Sequence, residues 1–396
     1  MKPERPIRVL QIIDSLGMGG AETWLMELLR LWSKSDVCRI DFLATSGNPG
    51  IFDEEARRLG AQVHYVRYEI AHLPRFAKQF RQVLREGRYH AIHDHQDYAS
   101  GWHFLMGGSA LPPVRVTHVH NPAYQIRNNY GVTNGRCFTA QVGKALVARY
   151  STHITGTSRQ VIAEYGFDTS RFRRIPKAAL YCGFDPARFL GDPVVAKASV
   201  SHEFCWPEDS KIILFAGRID RSPDLGHPQN HKNAGFAVSV GIECARRDRR
   251  VRMLLAGEPS PAVPILQGRV AAAGLNGRIQ FVGIRRDIER LMLASDVLLF
   301  PSRGEGLGMV AVEAQAAGLP ILVSDAVPRE CVVVPELVRF QKVEAGEAAW
   351  AADLLQLAVQ HRNIPAANER VATSFFAIEN SARALFQLYS KGSLAS

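Results

Sequence analysis

The chain has 396 residues, 46% of them hydrophobic and 22% charged, enough for two domains with cores of their own and too apolar for a disordered chain. Its net charge of +10 sits almost wholly in the first 200 residues, where 26 Lys/Arg face 17 Asp/Glu, against 22 and 21 in the remainder. Six cysteines lie far apart with no C-x-x-C pair, which argues against a disulfide framework and a zinc ribbon and for free thiols.

The opening MKPERPIRVLQIIDS lacks signal-peptide anatomy, because its apolar run stops at Asp14, and no window approaches the ~20 unbroken apolar residues of a membrane span. A cytoplasmic protein is expected. Arg8 to Ile13 reads as a strand, followed by the turn SLGMGGAE and a helix carrying Leu25, Leu28, Leu29 and Trp32. Gly17, Gly19 and Gly20 fall where a strand hands over to a helix, a place where phosphate or substrate meets backbone amides; a purely structural turn is the alternative. A dinucleotide G-x-G-x-x-G is incomplete, its last position being Glu22, which counts against a dehydrogenase.

Further strands are legible at Ile40 to Thr45, Gln62 to Tyr68, His90 to His93, Val114 to His118 and His153 to Thr157, with helical stretches between most of them. Such alternation predicts an α/β fold with doubly wound parallel sheets, which bind ligands at the carboxyl ends of their strands. HAIHDHQD and THVHNP fall at such ends and offer His93, His95, Asp97, His118 and His120. The H-x-H spacing puts two rings on one strand face, so a metal site is one reading; histidines hydrogen-bonded inside the sheet edge are another. Residues 74 to 86 place Arg75, Lys78, Arg81 and Arg85 on one helical side and Phe76, Phe80, Val83 and Leu84 on another. The basic side suits an anionic membrane surface, or simply solvent. No nucleic-acid motif is present, so lipid is favoured over nucleic acid.

Residues 182 to 210 collect Pro, Gly and Asp, lose periodicity and read as a linker. Lys211 to Ala216 opens a second α/β unit, with further strands at Val251 to Gly257, Ile279 to Gly283 and Val297 to Phe300. Arg218 at a strand end and Lys232 at a helix start would form a clamp of fixed positive charge suited to a leaving diphosphate. The stretch PSRGEGLGMVAVEAQAAGLPILVSD, residues 301 to 325, then sets a glycine-rich turn, Gly304 to Gly308, before a helix from Met309 to Ala317 closed by Gly318 and Pro320. Glu305 is expected in the turn and Glu313 in the first helical turn. Gly306 and Gly308 would let a ligand approach the backbone, and the N–H groups at Gly308, Met309 and Val310 would face it. Both acids read as acceptors for sugar hydroxyls. The segment SFFAIENSARALFQLYSK has a helical rhythm in Phe376, Ala382, Leu385, Leu388 and Tyr389.

The 301 to 325 stretch resembles the retaining glycosyltransferases of family 4, of GT-B architecture, which carry two glutamates eight positions apart, here EGLGMVAVE followed by A-x-A-A-G-L-P. CGFDPARF is similar to a family segment N-G-[IV]-D-x-x-x-F, with Cys182 for Asn, and G-G-A-E at Gly19 to Glu22 to a family turn facing the interdomain cleft. The resemblance implies two Rossmann-like domains, an acceptor-binding 1 to 190 and a nucleotide-sugar-binding 191 to 375, with 376 to 396 a helix returning to the first. It implies Glu305 and His120 on the donor sugar, Glu313 on the ribose, Gly19 and Gly20 near the phosphates or acceptor, Ile284 and Arg285 near the base, and Arg218 and Lys232 on the diphosphate. His95 and Asp97 would line the acceptor side. The family spaces its Arg and Lys five or six residues apart; here they are fourteen apart, so an insertion around Ser222 to Gln229 is expected, with Arg221 a substitute for Lys232.

These readings predict a retaining transferase moving a sugar from a nucleoside-diphosphate sugar to a saccharide acceptor, lipid-linked, for surface or extracellular polysaccharide. Neither a metal nor a cofactor is expected, since no D-x-D occurs and the family requires no metal. No carboxylate pair reads as a glycosidase. A nucleotide-sugar epimerase or phosphorylase on the same fold, and a non-catalytic nucleotide-sugar binder, are the rivals.

Overall fold

The computed structural model describes residues 6–394 apart from 36, 126–133 and 225, and for Ile70 and Asn134 the backbone only. It divides into two compact units, Met1–Phe184 with Phe375–Ser396, and Asp185–Ser374.

The first unit holds a seven-stranded parallel sheet built from β1 (Ile7–Ile13), β2 (Cys38–Ala44), β3 (Val63–Tyr65), β4 (Ala91–Asp94), β5 (Val114–Val119), β6 (His153–Gly156) and β7 (Lys177–Ala179), in the order 3-2-1-4-5-6-7. The largely apolar run Val9 to Ile13, interrupted by Gln11, is buried because helices cover both faces. On one face Phe76, Phe80, Val83 and Leu84 from helix Leu73–Gly87 pack with Leu10, Ile12 and Ile92; a second cluster gathers Val119, Ile154, Phe167 and Phe172. The basic side chains of that helix, Arg75, Lys78, Arg81 and Arg85, are exposed. The closing helix Ile378–Lys391 returns to this unit, where the Trp24 indole N–H donates to Ser381 Oγ at 2.9 Å and His153 Nε2 meets the Gly392 carbonyl at 2.9 Å. Phe376 lies just ahead of that helix and is buried.

The second unit holds a six-stranded parallel sheet of β8 (Lys211–Ala216), β9 (Val251–Ala256), β10 (Ile279–Gly283), β11 (Val297–Phe300), β12 (Ile321–Ser324) and β13 (Val338–Gln341), in the order 10-9-8-11-12-13. Its core joins Phe215, Met253 and Leu299 to Phe236 and Trp350, whose rings meet edge to face at 5.5 Å. In both sheets the chain winds outward one way, then restarts beside the first strand and winds the other: β1 abuts β4, and β8 abuts β11. The carboxyl ends of those two strand pairs are the crevices where doubly wound sheets take ligands.

Two expectations are corrected. The 182 to 210 stretch is not a loose linker. It contains helix Pro193–Glu203, started by Asp192, whose carboxylate accepts from the Val194 and Val195 N–H groups at 2.8 and 3.4 Å, with Pro193 at the first helical position. Glu313 does not lie in the first helical turn: the helix is Met309–Ala316 with Gly308 as its cap, so Glu313 is its fifth residue.

Candidate functional site

In the second unit the crevice is built from β8 and β11. Beyond β8 the chain passes Gly217 and Arg218 to the buried Asp220. Asp220 ties the far side of the inserted loop back to the sheet: Oδ1 accepts from the His231 and Lys232 N–H groups at 2.8 and 3.0 Å, and Oδ2 from Ala234 N–H at 3.1 Å. The expected insertion, within which Leu225 lies outside the described residues, is thus looped out and Lys232 returned to the crevice. Asn233, left-handed at φ 61°, caps helix Ala234–Arg247 and donates through Nδ2 to the Pro301 carbonyl at 3.2 Å, joining this loop to the end of β11.

Lys232 Nζ then donates to both oxygens of Glu305, at 2.6 and 2.8 Å, and Ser302 Oγ donates to Glu305 Oε1 at 2.5 Å. Glu305 is only 9% exposed. An ammonium has three donor hydrogens and a carboxylate about four acceptor positions. Among the described residues two of the former and three of the latter are engaged, leaving one donor and one acceptor for a ligand. The ammonium also lies 5.9 Å from the centre of the Phe300 ring. Arg218, just beyond β8, is exposed and close enough to His231 to lower the imidazole pKa, an effect secondary to burial.

The crevice floor is backbone. A Cβ on Gly257 would come within 1.9 Å of the Gly217 carbonyl oxygen, so no larger residue fits between these strand ends. Gly308 adopts φ +90° ahead of helix Met309–Ala316, a conformation costly for any residue with a side chain, and its Cβ would meet Phe300 and Val327 at 3.0 Å. The first N–H groups of the helix, at Met309 and Val310, lack intrahelical partners by geometry and mark the positive end of the dipole. Gln315, fully buried, braces the helix by accepting from Val333 and Val334 N–H at 2.8 and 2.7 Å. Glu313 is half-buried, and its pKa is pushed up to about 7, first by burial and then by Glu289, with Arg188 opposing. Ile284 is exposed; the Arg285 guanidinium is taken by Asp287 at 2.9 Å and Glu203 at 2.7 Å, which leaves its backbone to meet a ligand.

In the first unit the crevice at β1, β4 and β5 is lined by neutral rings. His95 Nδ1 meets His120 Nε2 at 2.8 Å, and His95 Nε2 meets Gln11 Oε1 at 2.8 Å. His93 Nε2 meets His118 Nδ1 at 3.0 Å, and His93 Nδ1 meets the Tyr389 hydroxyl at 2.6 Å. Burial drives the His93, His95 and His118 pKa values well below the ordinary range and that of His120 to about 4. His93, His95 and His118 are also the cluster, among the described residues, that could take a metal ion, their ligand nitrogens lying within 4.8 Å of one another. Asp97 sits at φ 52° and accepts from the His120 N–H at 3.2 Å; burial raises its pKa to about 7, with that hydrogen bond and the neighbouring Tyr165 hydroxyl opposing. Gly19 caps helix Gly20–Trp32 without a side chain.

The second unit therefore brings together Lys232, Glu305 and the Gly308 helix start, while the first assembles His95, Asp97 and His120. Sequence reasoning missed Asp220, Ser302, Gln11, Tyr389 and Tyr165. Asp220 carried a signal, an acidic residue shortly before a helix, hidden by the insertion between them.

Two parallel doubly wound sheets with ligand edges at their switch points define the GT-B fold. The solved structure of HepE from Anabaena, determined with UDP and glucose and also with UDP-glucose, superposes with a TM-score of 0.75 in the former complex, at 17% identity over 97% of this chain and 100% of that one. The model of Glycosyltransferase Family 4 matches residues 18–186, and that of Glycosyl transferases group 1 matches residues 210–359. EpsF of Bacillus subtilis (strain 168), which bears a glycosyltransferase name, is 27% identical over 361 residues, 90% of this chain and 88% of its own. A D-inositol 3-phosphate glycosyltransferase of Xylanimonas cellulosilytica is 26% identical over 325 residues, 77% of this chain and 73% of its own. The chain belongs to the family 4 glycosyltransferases. Among the described residues no helix is long and apolar enough to cross a membrane.

Proposed function

We propose that the protein transfers a hexose or N-acetylhexosamine from a nucleoside diphosphate to a hydroxyl of a lipid-linked saccharide, with retention at the anomeric carbon, in surface or extracellular polysaccharide synthesis. The observation that carries this reading is the Lys232 to Glu305 pair at the carboxyl ends of β8 and β11, with one donor and one acceptor left over. The spare ammonium hydrogen suits a phosphate oxygen, and the spare carboxylate lone pair suits a sugar hydroxyl. HepE, of the same fold, binds UDP-glucose, which supports a nucleotide-sugar donor.

The bond between the anomeric carbon and the diphosphate oxygen breaks, and its electron pair leaves with the phosphate. The acceptor oxygen bonds on the same face and its proton passes to the departing phosphate. Arg218, Lys232 and the N–H groups at Met309 and Val310 stabilise the negative charge that develops, so the transfer runs without a cofactor. Glu313 accepts from the ribose, the backbone at Ile284 and Arg285 flanks the base, and Gly19 and Gly20 leave room at the first unit's edge. His120 takes a substrate hydroxyl, with His95 and Asp97 beside it.

The test is a panel of nucleotide sugars with saccharide acceptors, followed by nucleoside diphosphate release and NMR of the anomeric proton. An α-linked product from an α-donor is expected; a β-linked product would overturn retention. A changed sugar without any acceptor would favour an epimerase.

A further inference from the structure

Among the described residues, the ring contacts of the first unit form one unbranched chain whose members are six side chains from four elements: His120, His95, Gln11, Tyr389, His93 and His118. The Trp24 indole lies 5.6 to 6.4 Å from three of the imidazoles, His93, His95 and His118. A neutral imidazole has one N–H and one lone pair, so the direction of any one hydrogen bond fixes the next ring's tautomer.

Bond lengths set that direction. The Tyr389 to His93 contact is 2.6 Å, short for N–H···O and suited to a phenol O–H donating into an imidazole lone pair. The Gln11 to Tyr389 contact is 3.1 Å, long for O–H···O and ordinary for an amide N–H donating to oxygen. Gln11 therefore gives its N–H to Tyr389 and keeps its carbonyl for His95, whose Nε2 lies 2.8 Å away. His95 must then carry hydrogen on Nε2 and a lone pair on Nδ1. The Nε2–H of His120 fills that lone pair at 2.8 Å. His93 passes its own Nε2–H to His118 Nδ1, and the chain ends at a buried His118 Nε2 that has no partner among the described residues. Turning the Gln11 amide over would reverse every member.

We propose that Gln11 is a positioning residue that locks His120 as its Nε2–H tautomer, so that the Nδ1 lone pair is offered as an acceptor to a substrate hydroxyl. A donor group at that place on the substrate is then required, and a hydrogen-bond acceptor there is excluded, because the site's own lone pair would face it. The consequence for substrate choice rests on the function proposed above; the tautomer does not.

Nitrogen-15 NMR of the imidazoles in the full chain tests it. Nε2–H with a bare Nδ1 is expected at all four histidines, and Nδ1–H at His120 would overturn the proposal. Gln11→Met removes both contacts of the hub and should mix the tautomers of His95 and His120; unchanged signals there in a folded Gln11→Met protein would overturn it. Tyr389→Phe cuts the chain on the far side and should disturb His93 and His118 while His120 keeps its state. If Gln11→Met does not fold, Gln11→Glu retains the acceptor toward His95 and must preserve His120 while altering His93; loss of the His120 state there would overturn the lock. Zinc added to the protein must leave all four Nε2–H signals in place, and their stoichiometric loss would mean that the rings are a metal site instead. With UDP-glucose as the probe, Gln11→Met should raise the donor KM ~10-fold, about 1.4 kcal/mol, with a smaller change in kcat and none in the affinity for UDP alone. Intact tautomers with no turnover of any nucleotide sugar would count against the transfer reading and leave the tautomer lock standing.

Discussion

The same crevice, at the switch point of a doubly wound sheet, is furnished twice in this chain with opposite chemistry. At β8 and β11 the furnishing is ionic, with Lys232 bound across both oxygens of Glu305, Arg218 exposed just beyond β8 and glycine backbone at the strand ends. At β1, β4 and β5 it is neutral, four imidazoles, an amide and a phenol in a hydrogen-bonded row, each imidazole kept uncharged by burial. Charges fixed in place suit a diphosphate, on which charge grows as the bond to the sugar breaks; neutral dipoles suit hydroxyls, whose charge does not change. The fold supplies the place in both halves, and the side chains decide which ligand group each can serve.

That contrast breaks most sharply at Lys232. Lys232→Ala removes a preorganised donor and strands the buried Glu305, and kcat should fall by ~10² to 10³, with Lys232→Arg recovering part of the loss. Equal loss of kcat and kcat/KM in steady-state kinetics would place the ammonium on the transition state; a KM effect alone would make it a binding residue. Among the described residues Arg218 has no buried partner to strand. Arg218→Ala should therefore cost only catalysis, roughly 10²-fold, with the melting temperature held, and a ten-fold or smaller loss would make it peripheral.

Glu313 sharpens the comparison because it is an acid that behaves, unliganded, more like the neutral row. Its folded-state pKa of about 7 lies above the ordinary 4.5, so the folded chain holds a proton that the unfolded chain has released between those values. Its contribution to stability is present at acid pH and is lost as pH rises through about 7. Glu313→Gln removes that pH dependence and should stabilise the protein above neutrality by about 1 to 3 kcal/mol, at ~1.4 kcal/mol per pH unit. The same substitution should weaken nucleotide-sugar binding ~10-fold, since an amide replaces a carboxylate acceptor. In the wild type, affinity should decline as pH falls below about 7, where the carboxylate is lost; calorimetry at several pH values checks both signs.

The strands most legible in the sequence are those whose residues are apolar and buried without interruption, such as Val297–Phe300 and, after its opening lysine, Lys211–Ala216. The edge strands Lys177–Ala179 and Val338–Gln341 were not read, because three or four half-exposed residues have neither length nor period. Helix Pro193–Glu203 was masked by its Gly and Pro surroundings and by β-branched Val194 and Val195, although Asp192 followed by Pro193 is a start signal. In the site, the glycine turn and its two glutamates were visible because local backbone chemistry demands those residue types. Gln11 and Tyr389 were not, since they meet across 378 residues of chain and nothing in either neighbourhood announces the other.

The smallest expected effect tests whether ionic chemistry also has a use away from the crevices. Helix Leu73–Gly87 buries Phe76, Phe80, Val83 and Leu84 in the core and leaves Arg75, Lys78, Arg81 and Arg85 on the surface. Exposed basic residues near an anionic bilayer contribute about 1 kcal/mol each at most, and salt screens them over ~8 Å. Arg81 is partly committed, since its Nε donates to the Met106 carbonyl at 2.7 Å, so the effective number is nearer three than four. Changing all four to Ser should reduce sedimentation with vesicles of anionic lipid several-fold at low salt and leave turnover of a water-soluble acceptor as it was. Undiminished sedimentation of the quadruple variant would mean that this face is merely solvated, and the lipid-linked acceptor proposed above would then have to reach the enzyme by another surface.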